Sequence, residues 1–193
     1  AQIANAADEL AYTAHDLDDG LRSGMITPQM LGGITLWEIL VKSVGWRGGK
    51  LDDLARHRLI RRLIGLEVTD LVTETDRCLR ENNVRSVEEL QTLPFNVIGF
   101  SEDMHRRNRQ LKDFLYANMY RHHRVVRMAV KAERIITALF HAYQSEPEML
   151  PQHVQNFIES RGLERTICDY IAGMTDRFAL QEHNKLFDPT SLP

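Results

Sequence analysis

One helical face near the start of the chain gathers residue types that could do chemistry. At about 100° per residue, Asn5, Tyr12, His15, Asp16 and Asp19 all fall within about 80° of Asp8. The opposite side carries Ile3, Leu10, Ala14, Leu17 and Leu21. One side is therefore core-forming, and the other stacks carboxylates, a phenol and an imidazole over about three turns. An ordinary amphipathic helix with its acids in water would show the same alternation. Two features weigh against it. The face holds no Lys or Arg, although Arg22 follows soon after. Acids gathered toward a helix C-terminus also oppose the helix dipole. The arrangement is costly unless a cation or a hydrogen-bonding ligand uses it.

A second set, Lys112, Tyr116 and Tyr120, recurs at i, i+4 and i+8 and shares one side of a helix. Its structural alternative is a core tyrosine pair with a snorkelling lysine. Arg56, His57, Arg58, Arg61 and Arg62 form one basic cluster, and His105, Arg106, Arg107 and Arg109 another. Each reads first as a solvated helix face. His122-His123 is a poor metal pair, because adjacent helical residues point about 100° apart. Trp37 and Trp46 read as core. No HxxxH, CxxC, phosphate-binding P-loop or GxGxxG is present.

The elements that must position these residues are helices. Residues 1–19 read as a helix stopping near Gly20. Thr27-Pro28 has the form of an N-cap with proline at the first helical position. Thr35 to Glu38 and Ser86 to Glu89 have capping-box spacing. Asp52 opens a long helix to about Asn82, with Ile60, Leu63, Ile64, Leu71, Val72 and Leu79 as its apolar stripe. Ser101 caps another helix whose character continues to about Tyr143, with a break near His122. After Pro151 come helices over 152–160 and about 163–186. In the latter, Ile167, Ile171, Met174 and Phe178 form an apolar stripe, and Gly173 costs about 1 kcal/mol relative to Ala. Strand signals, repeats and linkers are lacking, so the chain reads as a single all-α domain over 1–193.

Composition narrows the function classes. With 193 residues, 43% of them hydrophobic, the chain can bury a real core without disulfide or zinc. Cys78 and Cys168 lie far apart within helical patterns, as in a reducing cytosol. No apolar run approaches the roughly 20 residues of a membrane span, and no signal peptide is visible. A net charge of −3 gives no general mandate for nucleic acid. The chain opens in helical rhythm at Ala1-Gln2-Ile3 with neither initiator Met nor cap, which reads as part of a longer protein.

Three stretches carry a family resemblance. Residues Ala4 to Tyr12 with His15 to Gly20 closely resemble the last motif of bacterial dGTPase-like deoxynucleoside triphosphate triphosphohydrolases, members of the HD superfamily. Cys168 to Ala179 resembles the C-terminal signature of that family, and Leu111 to Leu115 with Met119 to His122 its central helix. The resemblance covers nearly the whole chain. It implies the C-terminal helical portion of such an enzyme, with residues 1–24 as the last HD-motif helix and about 90–186 as a phosphohydrolase-associated region.

By that resemblance, Asp8 is one ligand of a divalent metal such as Mg or Mn. The remaining ligands, a His and a His-Asp pair, are expected upstream of Ala1. His15-Asp16 spells HD but is not that dyad. Tyr12 and Asp16 are expected beside the deoxyribose, Asp16 accepting from the 3′-hydroxyl and Tyr12 closing the space near C2′. Lys112 corresponds to a triphosphate contact and Tyr120 to an aromatic near the nucleotide, while Tyr170 and Asp176 could approach it. Arg121 departs from the pattern. The implied reaction converts a dNTP to deoxynucleoside and triphosphate. The implied setting is a cytoplasmic homo-oligomer that admits a nucleotide effector, for which the arginine clusters offer an anion site. The chain by itself is expected to be inactive and not to hold the metal. The competing reading is a helical module for oligomerisation or effector binding without catalysis. Nucleic-acid binding through the arginines is a weaker third, given the negative net charge.

Overall fold

A computed structural model describes residues 2–190, and every regular element among them is helical, with no strand. No helix among the described residues is long and apolar enough to cross a membrane. The chain divides into two compact units, Ala1–His122 and His123–Pro193, and the helix expected from Ser101 to about Tyr143 is interrupted before His123, near the expected break.

The first unit holds α1 (Gln2–Arg22), α2 (Thr35–Val44), α3 (Asp53–Glu81), α4 (Val87–Thr92) and α5 (Glu102–Leu115). A π-helical turn, Tyr116–Tyr120, continues α5. α1 packs on α3 and α5, and α2 packs on the same two helices. Leu10, Ala14 and Leu17 of α1 meet Leu36 and Leu40 of α2, Leu59 and Leu63 of α3, and Leu111 and Leu115 of α5 in one core. Trp37 lies in that core, edge to face with Trp46 at 6.2 Å. The core-forming side of α1 is thus the side its periodicity marks out, except at Ile3 near its start, which is exposed.

Local signals set several boundaries. Asp52 accepts from the Ala55 amide at 2.7 Å, and Ser101 Oγ from the Met104 amide at 3.2 Å. Both satisfy otherwise orphaned first-turn donors. Other expectations change. α1 runs past Gly20, whose glycine serves close packing: a Cβ there would stand 2.6 Å from Cδ1 of buried Ile26. Residues 28–33 form turns rather than a helix headed by Pro28. Neither capping box closes as spaced. Ile34 precedes α2 without a side-chain cap, and Glu38 accepts from Gly33 N–H. Ser86 caps α4, but Glu89 accepts from the Arg85 amide.

The second unit holds α6 (His123–Ser145), a short 3-10 turn at Pro147–Met149, α7 (Gln152–Gln155), α8 (Ile158–Arg161), α9 (Leu163–Ala172) and α10 (Asp176–Phe187). Leu139, Tyr143, Leu150, Val154 and Ile167 form its core. The expected helix over 152–160 is two short helices. The expected helix over 163–186 breaks at Gly173, where Thr175 caps a new one through the Phe178 amide. Gly173 therefore ends a helix rather than burdening one. Phe178 is exposed, while Ile167 is fully buried.

Arg56 also departs from expectation, because it is buried rather than solvated. Its Nε donates to Asp18 at 2.8 Å, tying α3 to α1, and Nη1 reaches the well-exposed Asp53 at 2.6 Å. The hydrogen bond to Asp18 raises the guanidinium pKa further. Arg56→Met should destabilise the protein by about 2–3 kcal/mol in chemical denaturation. That is less than for a fully buried orphaned charge, since the Asp18 side chain keeps 21% exposure. An unchanged midpoint would show that Arg56 is not a tie.

Candidate functional site

Four of the five residues singled out by the sequence meet in one open cleft of the first unit, of about 560 Å³. α1 supplies Glu9, Tyr12, Thr13 and Asp16; α5 and the turn after it supply Arg109, Lys112, Asp113, Tyr116 and Tyr120. α1 turns its apolar side to the core, so its polar side must face outward, and α5 crosses it there. Asp8, the fifth residue, is exposed one turn before Tyr12 and does not line the cleft.

Two contacts join the walls. Lys112 Nζ forms an ion pair with Glu9 across the cleft, with both side chains more than a third exposed. Tyr120 donates its hydroxyl to Asp16 Oδ2 at 2.5 Å. This hydrogen bond to a carboxylate, aided by partial burial and the negative charge of Asp16, pushes the Tyr120 phenol up to about 12. The acidic face is therefore less uncompensated than α1 alone implies. Lys112 answers Glu9, Arg56 answers Asp18, and the Tyr120 hydroxyl serves Asp16.

The tyrosines are not a core pair. Tyr116 is 61% exposed and Tyr120 47%, and their rings stack at 6.4 Å. The π turn brings this about. The Arg121 amide bonds to the Tyr116 carbonyl, an i to i+5 closure at 3.1 Å that widens the helix and re-aims the side chains beyond it. Sequence reasoning missed Glu9, Thr13, Arg109 and Asp113 as lining residues. Glu9 carries a charge between two singled-out positions, and its partner lies 103 residues away. Arg109, from a cluster read as solvated, is exposed at the cleft and sits 3.4 Å from Asp113. Tyr170 and Asp176 lie in the second unit, where Tyr170 packs edge to face on Tyr143.

No group of three or more His, Cys, Asp or Glu at metal-binding spacing occurs among the described residues. Asp8 offers one accessible hard oxygen donor of the kind a divalent cation takes. The cleft can thus recognise an anion at Lys112 and Arg109 and a hydroxyl donor at Asp16, with aromatic walls between.

The tyrosine contact has a spectroscopic consequence. The absorbance change on phenolate formation that Tyr120→Phe removes should be centred near pH 12. Asp16→Asn, which takes away the charged acceptor holding the phenol neutral, should move that component to lower pH. An unmoved component would mean that the two side chains do not meet.

Residues 98–185 match the phosphohydrolase-associated domain. A deoxyguanosinetriphosphate triphosphohydrolase-like protein of Geobacter sulfurreducens is 46% identical over 190 residues, covering 98% of this chain and 49% of the relative. Proteins with the same name from Deinococcus deserti and Ralstonia pickettii are 41% and 40% identical, covering 98% and 97% of this chain and 50% and 48% of the relatives. The chain spans about half the length of the curated relatives it matches. It is similar, over nearly all of its own length, to the dGTPase-like triphosphohydrolases, and its residues 98–185 are similar to the phosphohydrolase-associated domain.

Proposed function

We propose that this chain supplies the sugar and phosphate side of the active site of a metal-dependent dNTP triphosphohydrolase, which converts a dNTP and water to deoxynucleoside and triphosphate. The observation that carries the reading is the pairing across the cleft. Two of the expected ligand contacts are now made by neighbouring side chains. Glu9 occupies Lys112, where a phosphate would bind, and Tyr120 donates to Asp16, where a 3′-hydroxyl would donate. The Lys112–Glu9 pair is exposed enough to exchange at small cost, since such surface ion pairs contribute about 0–1 kcal/mol, and a 3′-hydroxyl at Asp16 would replace one hydroxyl donor with another.

In this reading a triphosphate displaces Glu9 and is held by Lys112 as a point charge, with Arg109 close by. Asp16 accepts from the 3′-hydroxyl, which fixes the sugar. Tyr12 stands against C2′ and disfavours a ribose, and Tyr120 flanks the nucleotide. Asp8 contributes one carboxylate to a divalent metal, Mg or Mn, whose other ligands come from the rest of the protein. When bound, the metal supplies a Lewis acid beside the phosphate that reacts with water. The 193-residue chain alone neither holds this metal nor turns over dNTP. Homo-oligomeric assembly, a nucleotide effector and a cytoplasmic setting belong to the same proposal and rest on the resemblance alone.

Three variants of the full-length protein test these roles. Asp8→Asn removes a ligand charge, so metal content and turnover should fall together. Asp16→Asn should keep metal near wild type while catalytic efficiency falls. A hydrogen bond to a charged group contributes about 1.5–3 kcal/mol, which is on the order of tenfold to a hundredfold in rate. That loss should shrink for 2′,3′-dideoxy substrates. Lys112→Ala should weaken dNTP binding more than deoxynucleoside binding. Metal lost from the Asp16 variant but kept by the Asp8 variant would reverse the assignment. Equal losses for both ligands in the Lys112 variant would make that lysine structural.

A further inference from the structure

Beneath the Lys112–Glu9 pair lies a polar cluster that the proposed chemistry does not use. Glu67, midway along α3, is fully buried, and neither carboxyl oxygen accepts a hydrogen bond from any described residue. Asn108 of α5, also buried, has its Oδ1 without a donor. Three acceptors are thus left unsatisfied where α3 meets α5, one helical turn from Lys112. A buried carboxylate without partners would cost several kcal/mol, and proteins avoid that state by keeping the proton.

A neutral carboxylic acid resolves all three. Its O–H can donate to Asn108 Oδ1 and its carbonyl can accept from the Asn108 amide, the complementary pairing of an acid with a carboxamide. Of the ionisable groups on the helices packed around it, Lys112 and Glu9 act on Glu67 with opposite signs. Burial, the largest influence, outweighs the nearby Asn108 side chain and Lys112, and pushes the Glu67 carboxyl up to about 8.

We propose that Glu67 is a positioning residue for Lys112: a buried acid that retains its proton, clasps Asn108, and leaves the lysine charge to Glu9 and an incoming anion. Were Glu67 ionised, it would be an internal counter-ion for Lys112 and compete with the phosphate. The inference rests on the proposed anion role of Lys112, and it adds a proton requirement. Anion binding should weaken once Glu67 loses its proton.

Glu67→Gln in the full-length protein tests both parts, because the carboxamide keeps the donor and cannot ionise. A protonated acid in the folded state alone binds a proton that the unfolded chain has released between about pH 4.5 and 8. Wild-type stability should therefore fall relative to Glu67→Gln as pH rises through that window, and the gap should level off above it. The infrared carbonyl band of a protonated carboxylic acid should be present at pH 7 in wild type and absent from Glu67→Gln. No such band, or a stability gap that is independent of pH or opposite in sign, would overturn the protonated state. Inorganic triphosphate is the binding probe. Its affinity for wild type should fall by up to about tenfold relative to the variant between pH 8 and 9, the limit for one obligatory proton. Parallel pH profiles would overturn the link to Lys112. No triphosphate binding to either protein would remove the anion role itself, while the band would still decide the state of Glu67.

Discussion

The crossing of α5 over the polar side of α1 is the constraint on which the rest of the structure depends. α1 can bury only one side. Leu10, Ala14 and Leu17 take that side into the core with Leu111 and Leu115 of α5. The remaining side is left beside α5 with acids, phenols and a lysine at its edge. The ion pair of Lys112 with Glu9 spans the two helices, but it does not hold them together. With both partners more than a third exposed, its contribution to stability is small. Apolar packing holds α5 on α1, and the buried Arg56–Asp18 pair ties α1 to α3. This division lets the cleft contacts open without loosening the helices that carry them.

The same economy governs the other end of the cleft. The π turn at Tyr116–Tyr120 gives up regular helix closure, and it places Tyr120 against Asp16 with its ring on Tyr116. Local departures of this kind commonly mark functional positions. Beneath the surface, Glu67 and Asn108 put polar groups where an apolar core would be more stable. Asn108 lies one turn from Lys112, and the proposed proton on Glu67 would give that cost a role in the site.

Much of this was legible in the sequence. The two-sided character of α1 follows from its spacing alone, and the caps at Asp52 and Ser101 are local chemistry acting within three residues. What was not legible depends on distant partners. Arg56 reads as a surface arginine until Asp18 of another helix is placed beside it, and Glu67, although at helical spacing from Leu63 and Leu71 of the apolar stripe, carries a charge that argues against burial until Asn108 is placed beside it. Periodicity carries Lys112, Tyr116 and Tyr120 along one side but cannot reveal the wider turn that redirects the last of them. In the two capping-box spacings the Glu accepts from a different backbone donor, Gly33 or Arg85, from the one that sequence order assigns.

The central claim is that the Lys112–Glu9 and Tyr120–Asp16 contacts stand where a dNTP binds. A crystal structure of the full-length protein with a non-hydrolysable dNTP analogue and a divalent metal tests it most directly. The account predicts that the phosphates displace Glu9 from Lys112, that the 3′-hydroxyl replaces Tyr120 at Asp16, and that Asp8 reaches the metal. An analogue bound elsewhere, with both contacts intact, would contradict it.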